Sequence, residues 1–266
     1  MGVVIAVANQ KGGVAKTTTA HALAEAWALD GHRVLLMDLD PQACLTWSCG
    51  LDPDSLSPSL HDVLLRRASL AEVLVTIQGS AAFDLVPATI DLAGAEVHLV
   101  TQAGREMAIA KALEPLRDHY DYIVLDCPPS LGILTINGLS AADAVVIPLQ
   151  CEALSHRGVG QLLDTVADVK AFANAGLQVL GVVATIFDGR TRLSREIAAE
   201  VGDRYGLRLF EPPVPKSVRF AEAPALRRSI LEHAPKSAGA LAYRALASEM
   251  TEAIKADQQW SSADHD

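Results

Sequence analysis

The chain has 266 residues, half of them hydrophobic, and 22 Lys or Arg against 32 Asp or Glu give a formal charge of −10. That composition can fill a sizeable core. No run approaches the roughly 18–20 apolar residues of a membrane-spanning helix, which excludes a helical membrane protein, and the acidic balance argues against binding nucleic acid over the whole surface.

The first residues, MGVVIAVANQ, lack a basic segment followed by a long apolar one, so no signal peptide is expected and the reading is cytoplasmic. Cys44, Cys49, Cys127 and Cys151 form no C-x-x-C pair, and the eight histidines show no metal-ligand spacing. Reduced, structural thiols are expected.

In chain order, short apolar runs alternate with longer helical patterns. Val3–Ala8, Arg33–Leu39, Phe83–Pro87, Tyr122–Cys127, Ala144–Leu149 and Val179–Ile186 read as strands. Thr17–Asp30, Arg105–His119, Leu131–Ala141, Ser155–Ala175 and Ser194–Tyr205 read as helices, residues 52–80 as a mostly helical excursion, and Ser237–Ala256 as the last helix. Strands apolar throughout are buried on both faces. Their alternation with helices predicts an α/β fold: a doubly wound, mainly parallel sheet with helices on both sides, forming one domain over 1–256. The tail 257–266 is polar and is read as disordered.

Directly after the first strand stands Asn9-Gln10-Lys11-Gly12-Gly13-Val14-Ala15-Lys16-Thr17-Thr18, and a helical pattern follows at once. Strand, glycine-rich turn and helix N-terminus are what a phosphate-binding loop needs: inward N–H groups and a favourable dipole. Lys16 would reach the β- and γ-phosphates, and the Thr17 hydroxyl would hold Mg²⁺. The strict G-x-x-x-x-G-K-S/T pattern fails twice, with Gln10 and Ala15 at its glycine positions.

The second strand ends in Asp38-Leu39-Asp40-Pro41-Gln42, a carboxylate pair at i and i+2 on one side of the chain. The strand Ile123-Val124-Leu125 runs into Asp126-Cys127-Pro128-Pro129, so that Asp126 is a candidate Mg²⁺ ligand. Trp27 and Trp47 read as packing residues.

The K-G-G-x-x-K-T-T loop, with its extra Lys11, resembles the deviant Walker A motif of the ParA/MinD ATPases. Asp38 to Gln42 resembles that family's switch I, and Asp126 to Gly132 its switch II. Further stretches, among them Pro87 to Glu96, Val146 to Glu152 and Glu222-Ala223-Pro224, resemble the chromosomal ParA (Soj) subgroup; the likeness covers roughly residues 1–255.

The resemblance implies an Mg-dependent ATPase, slow without partners, that closes into an ATP-sandwiched homodimer. Within it Lys11 crosses to the partner's phosphates, Asp40 positions the attacking water, Asp38 supports the Mg²⁺ surroundings, and Pro215 flanks the adenine. It also implies non-specific binding of double-stranded DNA on the nucleoid, release on hydrolysis stimulated by a ParB-type protein, and segregation of chromosome or plasmid DNA. Arg190 and Arg219 match the family's DNA-contacting positions, in a segment, 188–228, with nine Arg or Lys against six Asp or Glu.

Two departures stand out: Ala15 replaces the usual glycine, and Ala43-Cys44 replace glycine and asparagine after switch I. They leave open a relative that hydrolyses weakly or serves another role. A MinD-like membrane ATPase would need a basic amphipathic C-terminal helix, and this C-terminus ends acidic. An iron–sulfur relative would need thiolate spacing that Cys127 and Cys151 do not provide.

Overall fold

The computed structural model describes residues 1–152 and 155–263; the side chains of 155, 156, 193, 195, 198, 199 and 257–263 lie outside the description. Eight strands form one sheet: β1 (Val3–Val7), β2 (Val34–Asp38), β3 (Val75–Ile77), β4 (Phe83–Val86), β5 (Tyr122–Asp126), β6 (Ala144–Gln150), β7 (Gln178–Thr185) and β8 (Leu209–Phe210). Their spatial order is β3-β4-β2-β5-β1-β6-β7-β8, and every pairing is parallel except β3 with β4. The mainly parallel, doubly wound α/β expectation holds.

The helices are α1 (Lys16–Leu29), α2 (Cys44–Ser48), α3 (Leu60–Leu64), α4 (Leu70–Val73), α5 (Leu92–Val100), α6 (Ala108–Leu113), α7 (Ile133–Ala141), α8 (Ser155–Phe172), α9 (Arg192–Tyr205), α10 (Arg219–Ala225), α11 (Ile230–His233) and α12 (Ala238–Ala263). Two apolar clusters cover the two faces of the sheet. One joins α1 and α12 to the sheet through Leu23, Trp27, Tyr243, Leu246 and Met250. The other takes α3 and α5–α9. Both faces of β1, β2 and β5 are therefore dry, which is why their sequences show no polar alternation. Trp27 packs as expected, stacked on Tyr122 at 4.4 Å.

The structure corrects several boundaries. Arg105–His119 is not one helix but a 3₁₀ turn, the short α6 and a second 3₁₀ turn. Pro115 stands just past α6 and cannot continue the backbone ladder. The excursion 52–80 contains the antiparallel edge strand β3 as well as α3 and α4. Helix α5 has no counterpart among the expected elements, and α12 runs on to Ala263, past the predicted stop at Ala256; residues 264–266 lie outside the described residues.

Gly138 lets α7 close on the site end of the sheet. A Cβ there would meet Cys127 Sγ at 2.9 Å and Leu39 Cδ1 at 3.0 Å. The ends of β2 and β5 and the start of α7 are thereby drawn together beside the loop that follows β1.

Candidate functional site

The loop between β1 and α1 is pinned from neighbouring strands. Asn9 Nδ2 donates to Pro148 O (2.7 Å), Asn9 Oδ1 accepts from Lys11 N (3.0 Å), and the Thr185 hydroxyl donates to Val14 O (3.0 Å). None of the backbone N–H groups of residues 12–18 donates to an acceptor among the described residues. A run of unpaired donors at a helix N-terminus is costly unless an anion or water answers it. Here the donors lie where the dipole favours negative charge.

Ala15 caps α1 at φ 64° and ψ 34°, in the left-handed region. An L-residue there costs about 1 kcal/mol or more relative to glycine. Ala15→Gly is therefore expected to raise the denaturation free energy of the nucleotide-free protein by about 1 kcal/mol. Urea unfolding checks this; an unchanged or lower midpoint would show that the surrounding packing has absorbed the strain.

Lys16 is buried, and its ammonium donates to Lys11 O at 3.1 Å. Burial lowers its pKa, against the attraction of Asp126, Cys127 and Asp40. Asp126 sits opposite at the end of β5, 1% exposed, and neither carboxylate oxygen has a hydrogen bond of ordinary geometry. The Thr17 hydroxyl faces it. Desolvation, then repulsion from Asp38, holds the Asp126 pKa well above the usual carboxylate range. Asp38 is its register partner on β2. A buried, unpaired carboxylate beside a threonine hydroxyl is a donor set suited to a hard cation such as Mg²⁺, so these residues fit the ion that the sequence implies.

Asp38 is engaged in bonds that the sequence does not show. It is fully buried, and both of its oxygens are engaged: Oδ1 accepts from Asp40 N (3.1 Å), and Oδ2 accepts from Thr46 N (2.9 Å) and the Thr46 hydroxyl (2.7 Å). Thr46 Oγ1 in turn accepts from Ala88 N. Asp38 thus anchors α2 and the backbone of Asp40, and Asp126 is the carboxylate with free lone pairs. Burial lifts the Asp38 pKa to about 6. Asp40 is half-buried, and its Oδ1 accepts from Gln42 N at 2.9 Å.

Other predicted residues are placed less simply. Lys11 does not turn toward the loop; its ammonium pairs with Glu152 of its own chain at 2.9 Å. Pro215 does line a cavity of about 390 Å³ with Gly13, Ala15 and Thr18. Ile186, Phe220 and Tyr243 line it too, and nothing in the sequence pattern marks them. Tyr243 comes from α12, where its hydroxyl bonds Thr19 of α1 (2.9 Å), a contact spanning 224 residues that no local pattern reveals.

Arg190 and Arg219 are exposed, yet each is matched by a carboxylate: Arg190 forks onto Asp188 (both 3.0 Å), and Arg219 pairs with Glu222 (3.1 Å). Arg228 pairs with Glu232, and Arg227 stacks over Trp47, 4.0 Å from the ring centre. The side chain of Arg195, in the same basic segment, lies outside the described residues. The two arginines that the sequence singles out are thus paired within their own segment.

A donor-lined turn feeding a helix from the centre of a parallel sheet is the device of the P-loop nucleoside triphosphatases, and fold and site together place the chain in that class. A family model described as an AAA domain matches residues 2–179. The chain is 42% identical over 252 residues to the sporulation initiation inhibitor protein Soj of Bacillus subtilis, covering 94% of this chain and 98% of that one. It is 41% identical over 249 residues to the chromosome partitioning protein ParA of Caulobacter vibrioides, covering 93% of each. The structure of cobyrinic acid a,c-diamide synthase from Mycobacterium smegmatis with bound ADP and magnesium matches with TM-score 0.85 and 47% identity over 96% of both chains. The chain belongs to the ParA/Soj family of AAA-domain ATPases. Among the described residues no helix is long and apolar enough to cross a membrane.

Proposed function

We propose that the chain is a partition ATPase switched by Mg-ATP. The observation that carries this reading is the buried carboxylate of Asp126, without a hydrogen bond of ordinary geometry, set against Lys16, the Thr17 hydroxyl and a loop of free N–H donors. Those donors and the Lys16 ammonium bind and orient the triphosphate, and Thr17 with Asp126 would hold the Mg²⁺, which would supply positive charge against the triphosphate. Asp40, fixed by Asp38 and by its own turn to Gln42, orients the attacking water. The apolar cavity at Pro215, Phe220 and Tyr243 has room for the base.

Two protomers close over ATP when Lys11 leaves Glu152 for the partner's phosphates. Lys11 and Glu152 are 38% and 55% exposed, so their ion pair is worth about 0–1 kcal/mol and is readily exchanged. Closing also brings two copies of Arg190 and Arg219 onto one face, where DNA phosphates can displace Asp188 and Glu222. A ParB-type partner then stimulates hydrolysis and release. This cycle takes place in the cytoplasm at the nucleoid.

Sedimentation with and without Mg-ATP tests the switch. The expected result is an ATP-dependent dimer, longer-lived in Asp40→Ala, that binds duplex DNA in a salt-sensitive way. A monomer in both proteins at saturating ATP would overturn the reading. In the same assay, Arg190→Ala with Arg219→Ala is expected to weaken DNA binding about tenfold or more and to flatten the log-salt slope by about 1 for each phosphate no longer neutralised. An unchanged slope would place the DNA face elsewhere.

The name carried by the M. smegmatis structure suggests amide synthesis instead. Where a cysteine takes the amide nitrogen from glutamine, it acts as an activated thiolate. All four cysteines here have their thiol pKa pushed up, each by burial first. The thiol chemistry therefore favours the partition reading.

A further inference from the structure

A second cavity, about 560 Å³, opens between the α3–α4 segment and the α5–α6 segment. Its rim carries four cations, Arg66, Arg67, Arg105 and Lys111, and its floor is apolar, with Leu64, Leu70 and Ala108. Glu72 is the one carboxylate lining it, and it is already committed to the amide and hydroxyl of Ser69 (both 2.7 Å). Among the described residues, Arg66, Arg67 and Lys111 have no ion pair. Some surface cations elsewhere are matched, Arg33 by Asp121, Arg117 by Asp143 and Arg228 by Glu232, and others, such as Arg208, Lys216 and Lys236, have no ion pair among the described residues either. What sets Arg66, Arg67 and Lys111 apart is that three such cations gather around one hollow on a chain of charge −10.

Arg66 adds an independent observation. It follows α3 in the left-handed region, φ 58°, with its N–H bonded to Val63 O and the next N–H to Asp62 O. That is the helix-terminating position glycine normally takes. A bulky arginine there carries backbone strain, and what the position gains is a guanidinium at the cavity rim. The opposite wall is held rigid by the fully buried Asn137 of α7. It donates to Arg105 O (2.8 Å) and Ile133 O (2.9 Å) and accepts from Ile109 N (3.1 Å). A fixed wall, an apolar floor and a cationic rim make a preorganised pocket.

The geometry points to a binding site for a small organic anion, an apolar body carrying a phosphate or carboxylate group, distinct from the nucleotide loop. The site is no extension of the DNA face. Its walls come from segments between β2 and β3 and between β4 and β5, whereas Arg190 and Arg219 follow β7 and β8 at the other end of the sheet. A concave hollow of this size accepts a small molecule, not the broad phosphate surface of a duplex.

The probes are 1-naphthyl phosphate and 1-naphthoate, titrated by calorimetry into the full chain saturated with Mg²⁺ and a non-hydrolysable ATP analogue, so that the phosphate loop is filled. The two probes separate phosphate from carboxylate as the preferred head group, and neutral 1-naphthol is the control. One saturable site is expected, with affinity lowered about tenfold by Arg67→Ala or Lys111→Ala, the usual size of one charged hydrogen bond removed. Affinity should be unchanged by Arg190→Ala with Arg219→Ala. Arg66→Gly should weaken the probe while raising the thermal midpoint, a pairing that a purely structural arginine would not produce. Three results would each overturn the assignment: no saturable binding, equal binding of 1-naphthol, or loss of duplex DNA binding rather than probe binding in the pocket variants.

Discussion

Asp126→Asn is expected to stabilise the nucleotide-free protein and to lower ATP hydrolysis by about 100-fold or more. The two effects share one cause. The Asp126 carboxylate is buried, without a hydrogen bond and beside Asp38, so its charged form has a high free energy until a cation arrives. In the unfolded chain both aspartates ionise near about pH 4. In the native state Asp38 titrates at about 6, and Asp126 also lies well above its ordinary value. Over the interval between those values the native state holds protons the unfolded state has released. Stability of the nucleotide-free protein therefore falls as pH rises from about 4 through 6 and beyond. Asparagine removes the Asp126 share of that slope and adds about 1 kcal/mol or more near neutrality. Urea unfolding across pH, with and without Mg-ATP, reads both effects: wild type gains from Mg-ATP, and the variant does not. A variant that is less stable yet still hydrolyses ATP would make Asp126 an ordinary core residue.

Asp40→Ala is expected to leave nucleotide binding intact and to slow single-turnover hydrolysis by about 100-fold or more, the usual contribution of a group that positions a reacting water. Nothing in the fold rests on this side chain. It is half-buried, and it bonds the amide of Gln42 within its own turn. Asp38, by contrast, holds Thr46 and through it the β4 exit at Ala88. Asp38→Ala should therefore lower the unfolding midpoint, where Asp40→Ala should not. If the two substitutions destabilise equally, the division of labour between them is wrong.

Much of this is legible in the sequence because the site lies on the most repetitive part of the fold. β1, β2 and β5 are continuous apolar runs, and each delivers its functional residues at or just past its C-terminal end. The strain at Ala15 is readable from one missing glycine. What is not legible is what long-range packing supplies. Tyr243 meets Thr19, and Lys11 meets Glu152, across 224 and 141 residues, and neither pairing leaves a periodic trace. The edge strand β3 has three residues and borrows its identity from β4. The bonds of Asp38 are not legible either, because a carboxylate pair at i and i+2 carries no mark of which backbone each member holds. Only the fold shows that Asp38 holds Thr46 and the Asp40 amide, and Asp40 its own turn at Gln42.

The position of β1 has a consequence for how the protein is made. The phosphate loop is made before the other site motifs, but β1 has no early partner: Val3 lies opposite Tyr122, and Ile5 lies opposite both Val124 and Ala144. The nascent chain must carry an unpaired apolar strand until β5, ending at Asp126, is available, and such long-range parallel pairing closes slowly. Nucleotide therefore cannot nucleate this fold from its own loop. It engages a sheet whose centre has already closed, and finished chains are the ones ATP can recruit.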